Sequence, residues 1–202
     1  MTTTIWTEID RFMQSKGSVF ETLQNLARNL TREGIDYTII GGMALVMHGY
    51  VRTTQDVDLL MSPQGLERFQ KLLVGRGFVP TFPGATRRFR DASTDIVVEI
   101  LIAGEYPGDG KPKPVCFPNP ATAFIERDGI RIIPLSQLIE LKLASGLTAS
   151  DRLKDLADVQ ELIRILNLPA DFAAQIDPSV RDGYMNLWNG VDRAKQERDL
   201  ES

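Results

Sequence analysis

An α/β (α+β) fold with a helical C-terminal region is predicted by three observations. Short apolar strand patterns alternate with amphipathic helix patterns up to about Pro134. A stretch rich in proline and glycine, 106–120, then reads as a loop and not as a sheet element. Beyond Pro134 the apolar spacing is helical throughout. The chain of 202 residues can bury a sizeable core. It divides into an N-terminal helical segment over 1–34, an α/β core over 35–134 and a helical region over 135–202.

The elements follow in order. Phe20, Leu23, Leu26, Ala27 and Leu30 recur at helical spacing over 18–30, and Gly34 fits the stop. A strand over 37–40 comes next, and Gly41-Gly42 opens a short helix over 43–48. Arg52-Thr-Thr leads into Thr54-Gln-Asp-Val-Asp-Leu-Leu-Met61, whose alternation is that of a strand. Pro63 suits the first turn of a helix to about Val74, which Gly75 and Gly77 close. Residues 86–91 and 95–102 read as a hairpin. Residues 123–126 and 130–133 flank Arg127-Asp-Gly, a second hairpin signal. Ser136 caps a predicted helix to Ser145 and Ser150 another to Leu166, with two more over 169–176 and 182–200.

The chemistry-bearing residues gather on the strands. Successive side chains of a strand point to opposite faces, so Asp56 and Asp58 share one face while Val57 and Leu59 enter the core. Two adjacent anions repel, and a divalent cation is the usual remedy. Mg²⁺ takes one or two protein carboxylates and lets substrate phosphates complete its shell. The pair points to metal-assisted phosphoryl or nucleotidyl chemistry, whereas Asp-x-Asp alone also fits a solvated strand face. Glu99, between Val98 and Ile100, reads as a charge deep in an apolar strand that a metal or cation should face. Asp95, at the strand start, reads as solvated.

Other charges have two readings each. Lys142, between Leu141 and Leu143, either neutralises a phosphate or snorkels to the surface. Asp155 and Asp158 share a helix face and either position Lys142 or Arg152 or form a salt-bridged solvent face. Arg52 contacts phosphate or pairs with Asp56. The Arg87-Arg88-Phe89-Arg90 run is by default a solvated strand edge, with guidance of an anionic acceptor the alternative. His48 reads as a helix-end residue, and Tyr184 and Trp188 as packing.

Gly41-Gly42, Arg52-x-Thr54-x-Asp56-x-Asp58 and the later hydrophobic-Glu99-hydrophobic strand resemble the nucleotidyltransferase superfamily of the polymerase-beta type. Leu138-Ile-Glu-Leu-Lys142-Leu-Ala-Ser and Arg152-Leu-Lys-Asp155-Leu-Ala-Asp158-Val look more narrowly like the AbiEii and MenA group of bacterial nucleotidyltransferase-like toxins. The resemblance spans roughly 35–166. It implies a mixed sheet flanked by helices, with the glycines at a helix N-terminus that meets a phosphate. It implies further that Asp56 and Asp58 bind the Mg²⁺ or Mn²⁺ ions bridging an NTP, and that Glu99, a metal ligand as well, orients or deprotonates the attacking hydroxyl. Many members carry Asp where Glu99 stands. Gly41, Gly42, Arg52, Thr54, Lys142 and Asp155 would line the nucleotide site, with Lys142 also counted as catalytic.

The implied reaction moves an NMP from an NTP to a hydroxyl acceptor and releases pyrophosphate. The acceptor is a tRNA or other RNA, a protein or a small molecule, and a cognate antitoxin is the partner the toxin group implies. A silent NTP-binding or partner-binding module is the alternative. A net charge of −4 and a pI near 5.1 argue against general nucleic-acid coating and lean against tRNA. A single cysteine, Cys116, makes no internal disulfide, which suits a reducing cytoplasm. No apolar run approaches the ~20 residues of a membrane span, and Met-Thr-Thr-Thr-Ile-Trp lacks a signal-peptide pattern.

Overall fold

The computed structural model describes residues 17–201, so the signal-peptide reading at 1–6 and the first part of the 1–34 segment lie outside the described residues. The chain forms two compact units. Among the described residues the first comprises 17–47, 51–103 and 118–133, and the second 48–50, 104–117 and 134–201.

The first unit is a seven-stranded mixed sheet with helices. Helix α1, Ser18–Arg32, buries Leu23, Leu26, Ala27 and Leu30 along one stripe and stops at Gly34, whose φ of 59° is in the left-handed region. Strand β1, Thr38–Ile40, is buried throughout and runs directly into α2, Gly41–Met47. The glycines are thus the first two residues of the helix, at its N-terminus, and the helix starts two residues earlier than expected. Strand β2, Asp56–Met61, leads to α3, Pro63–Leu73. Ser62 caps α3 by accepting the Gly65 N–H at 3.0 Å, and Pro63 takes the first position, where no intrahelical donor is needed.

The remaining strands are β3, Phe78–Pro80, β4, Arg88–Asp91, β5, Val97–Ile102, β6, Ile125–Arg127, and β7, Ile130–Ile132. The sheet order is β3-β4-β5-β2-β1-β7-β6. The β2–β5 and β1–β7 pairs are parallel and the others antiparallel, so the sheet is mixed as expected. Both expected hairpins form. Asp128 and Gly129 turn the second with φ of 51° and 74°, the left-handed pair a two-residue connection needs. Phe69 of α3 meets Phe78 and Phe89 at ring separations of 5.3 and 5.1 Å, closing the core over the β3–β4 end.

The second unit is helical. Helix α4, Leu135–Thr148, is followed by a 3₁₀ turn, Ser150–Arg152, and α5, Leu153–Leu166. Ser136 and Ser150 do not cap these helices: Pro134 and Arg152 hold the cap positions without a side-chain bond. The expected helix over 169–176 is a 3₁₀ segment, Ala170–Gln175, and after Pro178–Val180 the chain enters α6, Arg181–Glu201. Buried positions fall all around α4, including Leu138, Leu141, Lys142 and Leu143. Gly146 lets α5 approach closely, since a Cβ there would lie 2.6 Å from Leu156 Cγ. No described helix is long and apolar enough to cross a membrane.

Candidate active site

Strand register brings the expected carboxylates to one sheet face. Asp58 of β2 pairs with Glu99 of β5, and Asp56 with Val97. Val57, Leu59, Val98 and Ile100 are buried, and by alternation they occupy the opposite face. Flanking apolar residues thus report the burial of the other face. Glu99 is correspondingly not deep in an apolar setting: its side chain is 44% exposed. Asp95 sits in the β4–β5 turn with φ of 65° and pairs with Arg90 at 3.2 Å.

The glycine pair closes on this carboxylate face. Ile40 lies opposite Asp58 across the antiparallel β1–β2 ladder, so the next residue, Gly41, turns over Asp58. A Cβ on Gly41 would sit 1.8 Å from Asp58 Oδ2, and its φ of 61° already disfavours any side chain. A Cβ on Gly42 would sit 2.6 Å from Thr54 Oγ1. Thr54, itself buried, donates its hydroxyl to Asp56 Oδ1 at 3.1 Å and fixes that carboxylate. The two glycines, Thr54, Asp56 and Asp58 therefore form one tightly packed group. Arg52 lies half-buried in the irregular segment that leads into β2.

Arg88 was legible only as part of a strand edge. The β4–β5 register sets it opposite Glu99, with Arg88 Nε 3.7 Å from Glu99 Oε2. A hairpin register assigned from its turn would have found this contact. Among the described residues no three His, Cys, Asp or Glu side chains converge into a cation site. Asp56 and Asp58 offer a two-carboxylate edge, which suits Mg²⁺ when phosphate oxygens supply further ligands. Glu99 shares the face without completing a three-ligand set.

Lys142 and Asp155 belong to the second unit. Lys142 is buried, so it does not snorkel. Its Nζ donates to Asp155 Oδ1 at 2.8 Å and to Asp158 Oδ2 at 2.7 Å. Asp155 Oδ2 also accepts from Ser145 Oγ at 2.6 Å. The shared face of Asp155 and Asp158 thus serves Lys142 and is not a solvent face. Ser145, one turn after Lys142 on α4, was not singled out in the sequence, although its i+3 spacing places it beside that lysine.

No protein-family profile and no curated protein sequence matches the chain. Solved structures do. JHP933 from Helicobacter pylori is 14% identical with a TM-score of 0.46, over 100% of this chain and 98% of that one. An antigenic nucleotidyltransferase-like protein from Paracoccidioides brasiliensis is 15% identical with a TM-score of 0.45, over 72% and 75%. The antibiotic-resistance factor ANT(2'')-Ia is 12% identical with a TM-score of 0.48, over 90% and 97%.

Proposed function

We propose that the chain is a Mg²⁺-dependent nucleotidyltransferase that moves a nucleoside monophosphate from an NTP to a hydroxyl acceptor and releases pyrophosphate. The observation that carries this reading is the closure of the Gly41 backbone onto Asp58, beside Asp56 and its Thr54 hydrogen bond. A side chain at Gly41 would displace the Asp58 carboxylate and one at Gly42 would displace Thr54, so the bare backbone keeps the acidic pair in the position proposed for metal and phosphate binding. Mg²⁺ or Mn²⁺, held by Asp56 and Asp58, supplies neutralisation of the triphosphate charge when bound.

The other roles belong to the protein's own groups. Glu99 accepts the proton of the acceptor hydroxyl, whose oxygen bonds to the α-phosphorus as the bond to the leaving pyrophosphate breaks. Gly41 and Gly42 give the triphosphate close access to the backbone, and Arg52 offers it a cation. Lys142 places two of its three Nζ donors on Asp155 and Asp158, and the third is the one it would offer to a phosphate. The acceptor is an RNA, a protein or a small molecule. A second reading, a catalytically silent NTP-binding or antitoxin-binding module of the AbiEii and MenA kind in the cytoplasm, is favoured by the Arg88 contact on Glu99 and by the missing three-carboxylate set among the described residues.

The test is thermal unfolding with each of the four NTPs, with and without Mg²⁺. Ligand at ~100 times its dissociation constant adds roughly 2.7 kcal/mol to the native state. A shift in wild type that vanishes in the Asp56→Asn, Asp58→Asn double variant is expected. An unchanged shift in that variant removes the metal-site assignment. Binding without transfer to any acceptor class supports the silent module.

A further inference from the structure

A cleft of about 450 Å³ opens within the second unit, between the end of α5 and the C-terminal half of α6. Its origin is local. Asn167 ends α5 in the left-handed conformation, with φ of 48°, and the chain turns through Leu168 and Pro169. Two aromatic residues of α6 pin that turn: Tyr184 Oη donates to the Pro169 carbonyl at 2.9 Å and Trp188 Nε1 to the Leu168 carbonyl at 3.0 Å. The last turns of α6 continue beyond this anchor, and Val191, Lys195 and Arg198 form one wall.

The chemistry of the lining is distinctive for this protein. Arg164, Lys195 and Arg198 give three cations against one carboxylate, Asp192, in a chain whose net charge is −4. The carboxylate accepts from Gln196 at 2.8 Å. Arg164 Nε pairs with Glu161 Oε2 at 3.0 Å, so Lys195 and Arg198 carry most of the charge open to a ligand. Arg198 Nε is bound to the Ala194 carbonyl of its own helix, which fixes the base of that side chain. The remaining floor is apolar, with Trp188, Ile163 and Pro169. The volume lies in the range of small-molecule sites, which combine an apolar floor with a few placed polar groups. A cationic rim around an indole suits a ligand with a phosphate and a flat aromatic ring.

We propose that this cleft is a nucleotide-binding site, separate in its residues from the Asp56–Asp58 group and independent of the reaction proposed there. Its ligand is a nucleoside phosphate, either free or at the end of a single strand. The rim cations meet the phosphate and the base lies over the Trp188 floor.

The test uses Trp188 fluorescence in the full chain carrying Trp6→Phe, which leaves one indole, and Asp56→Asn with Asp58→Asn, which disables the other candidate site. AMP and a short oligoadenylate are titrated separately. Quenching that saturates, and that Lys195→Glu with Arg198→Glu weakens at least tenfold, is expected. Equal affinity for both ligands identifies a free-nucleotide site, and a preference for the oligonucleotide identifies a strand end. Lack of quenching by either ligand overturns the proposal. So does competition by inorganic phosphate at the same concentration as AMP, which would reduce the cleft to a general anion surface. Trp188→Phe, read by calorimetry, checks the floor independently: unchanged AMP affinity there overturns the role of the indole.

Discussion

Substituting Gly41 by alanine tests the packing on which the candidate site stands. The added Cβ would lie 1.8 Å from Asp58 Oδ2, 2.6 Å from Cγ and 2.9 Å from Cβ, where ordinary contact begins near 3.4 Å. Asp58 Oδ2 must then retreat by about 1.6 Å or the β1–α2 junction must open. The φ of 61° adds a separate penalty of roughly 1–2 kcal/mol for a non-glycine residue. Displacement of a metal-binding or reacting group by about 1 Å costs on the order of a hundredfold in rate.

The expected outcome is a loss of stability larger than the φ penalty alone, with NTP-dependent stabilisation abolished. Urea unfolding of a double-mutant cycle with Asp58→Ala separates the two effects, because the two closest contacts leave with the carboxylate while the φ penalty remains. A coupling of about 1–3 kcal/mol between the substitutions is expected. If Gly41→Ala costs the same with and without the Asp58 carboxylate, the two groups are not in contact, and the closure of the glycine turn on the acidic pair is refuted.

Three further outcomes follow from the second unit. Lys142→Ala removes the ammonium that Asp155 and Asp158 share in a buried setting, so chemical denaturation should show a loss of about 3–5 kcal/mol, and a loss below ~1 kcal/mol would place the lysine at the surface after all. Gly146→Ala, which in an exposed helix would stabilise by up to ~1 kcal/mol, should here destabilise by about 1–3 kcal/mol because its Cβ overlaps Leu156, and a raised melting temperature would contradict that packing. Burial, and secondarily the Asp171 carboxylate, pushes the Tyr184 hydroxyl up to about 12. The native state therefore holds that proton more tightly than the unfolded chain, and the stability it contributes is complete below pH 10 and lost as pH rises from 10 to about 12. Two pH units correspond to about 3 kcal/mol, so wild type should lose that much more than Tyr184→Phe across the window in urea melts, and parallel pH curves would refute the assignment.

Local pattern made much of the site legible. The alternation around Asp56 and Asp58 set their shared face, and Gly41-Gly42 marked the turn that closes on them. Longer-range geometry was hidden. The parallel β2–β5 pairing that sets Glu99 beside Asp58 joins strands separated by α3, β3 and β4, and nothing in either strand specifies its neighbour. Glu99 looked buried because Val98 and Ile100 are apolar, yet in a strand those neighbours describe the opposite face. Strand β3 escaped notice because Phe78-Val79-Pro80 is three residues long at the sheet edge and ends in proline. The Lys142 cluster joins two helices: the shared face of Asp155 and Asp158 marked them as candidate partners of the lysine, while the burial of Lys142 did not show in its apolar neighbours, which also suit a snorkelling side chain.

The order of strands also bears on how a growing polypeptide reaches this state. Strand β1 has β2 as one neighbour soon after it is made, but its other neighbour is β7, Ile130–Ile132, which emerges only after five other strands. Until then a nascent chain carries Thr38–Ile40 with one row of backbone donors and acceptors open, a template for pairing with other chains. Parallel pairing of such distant segments is intrinsically slow. Chaperone protection during translation should matter most in that interval. A chain stopped just before Ile130 should aggregate far more readily than one stopped just after Ile133, because only the second can seal β1.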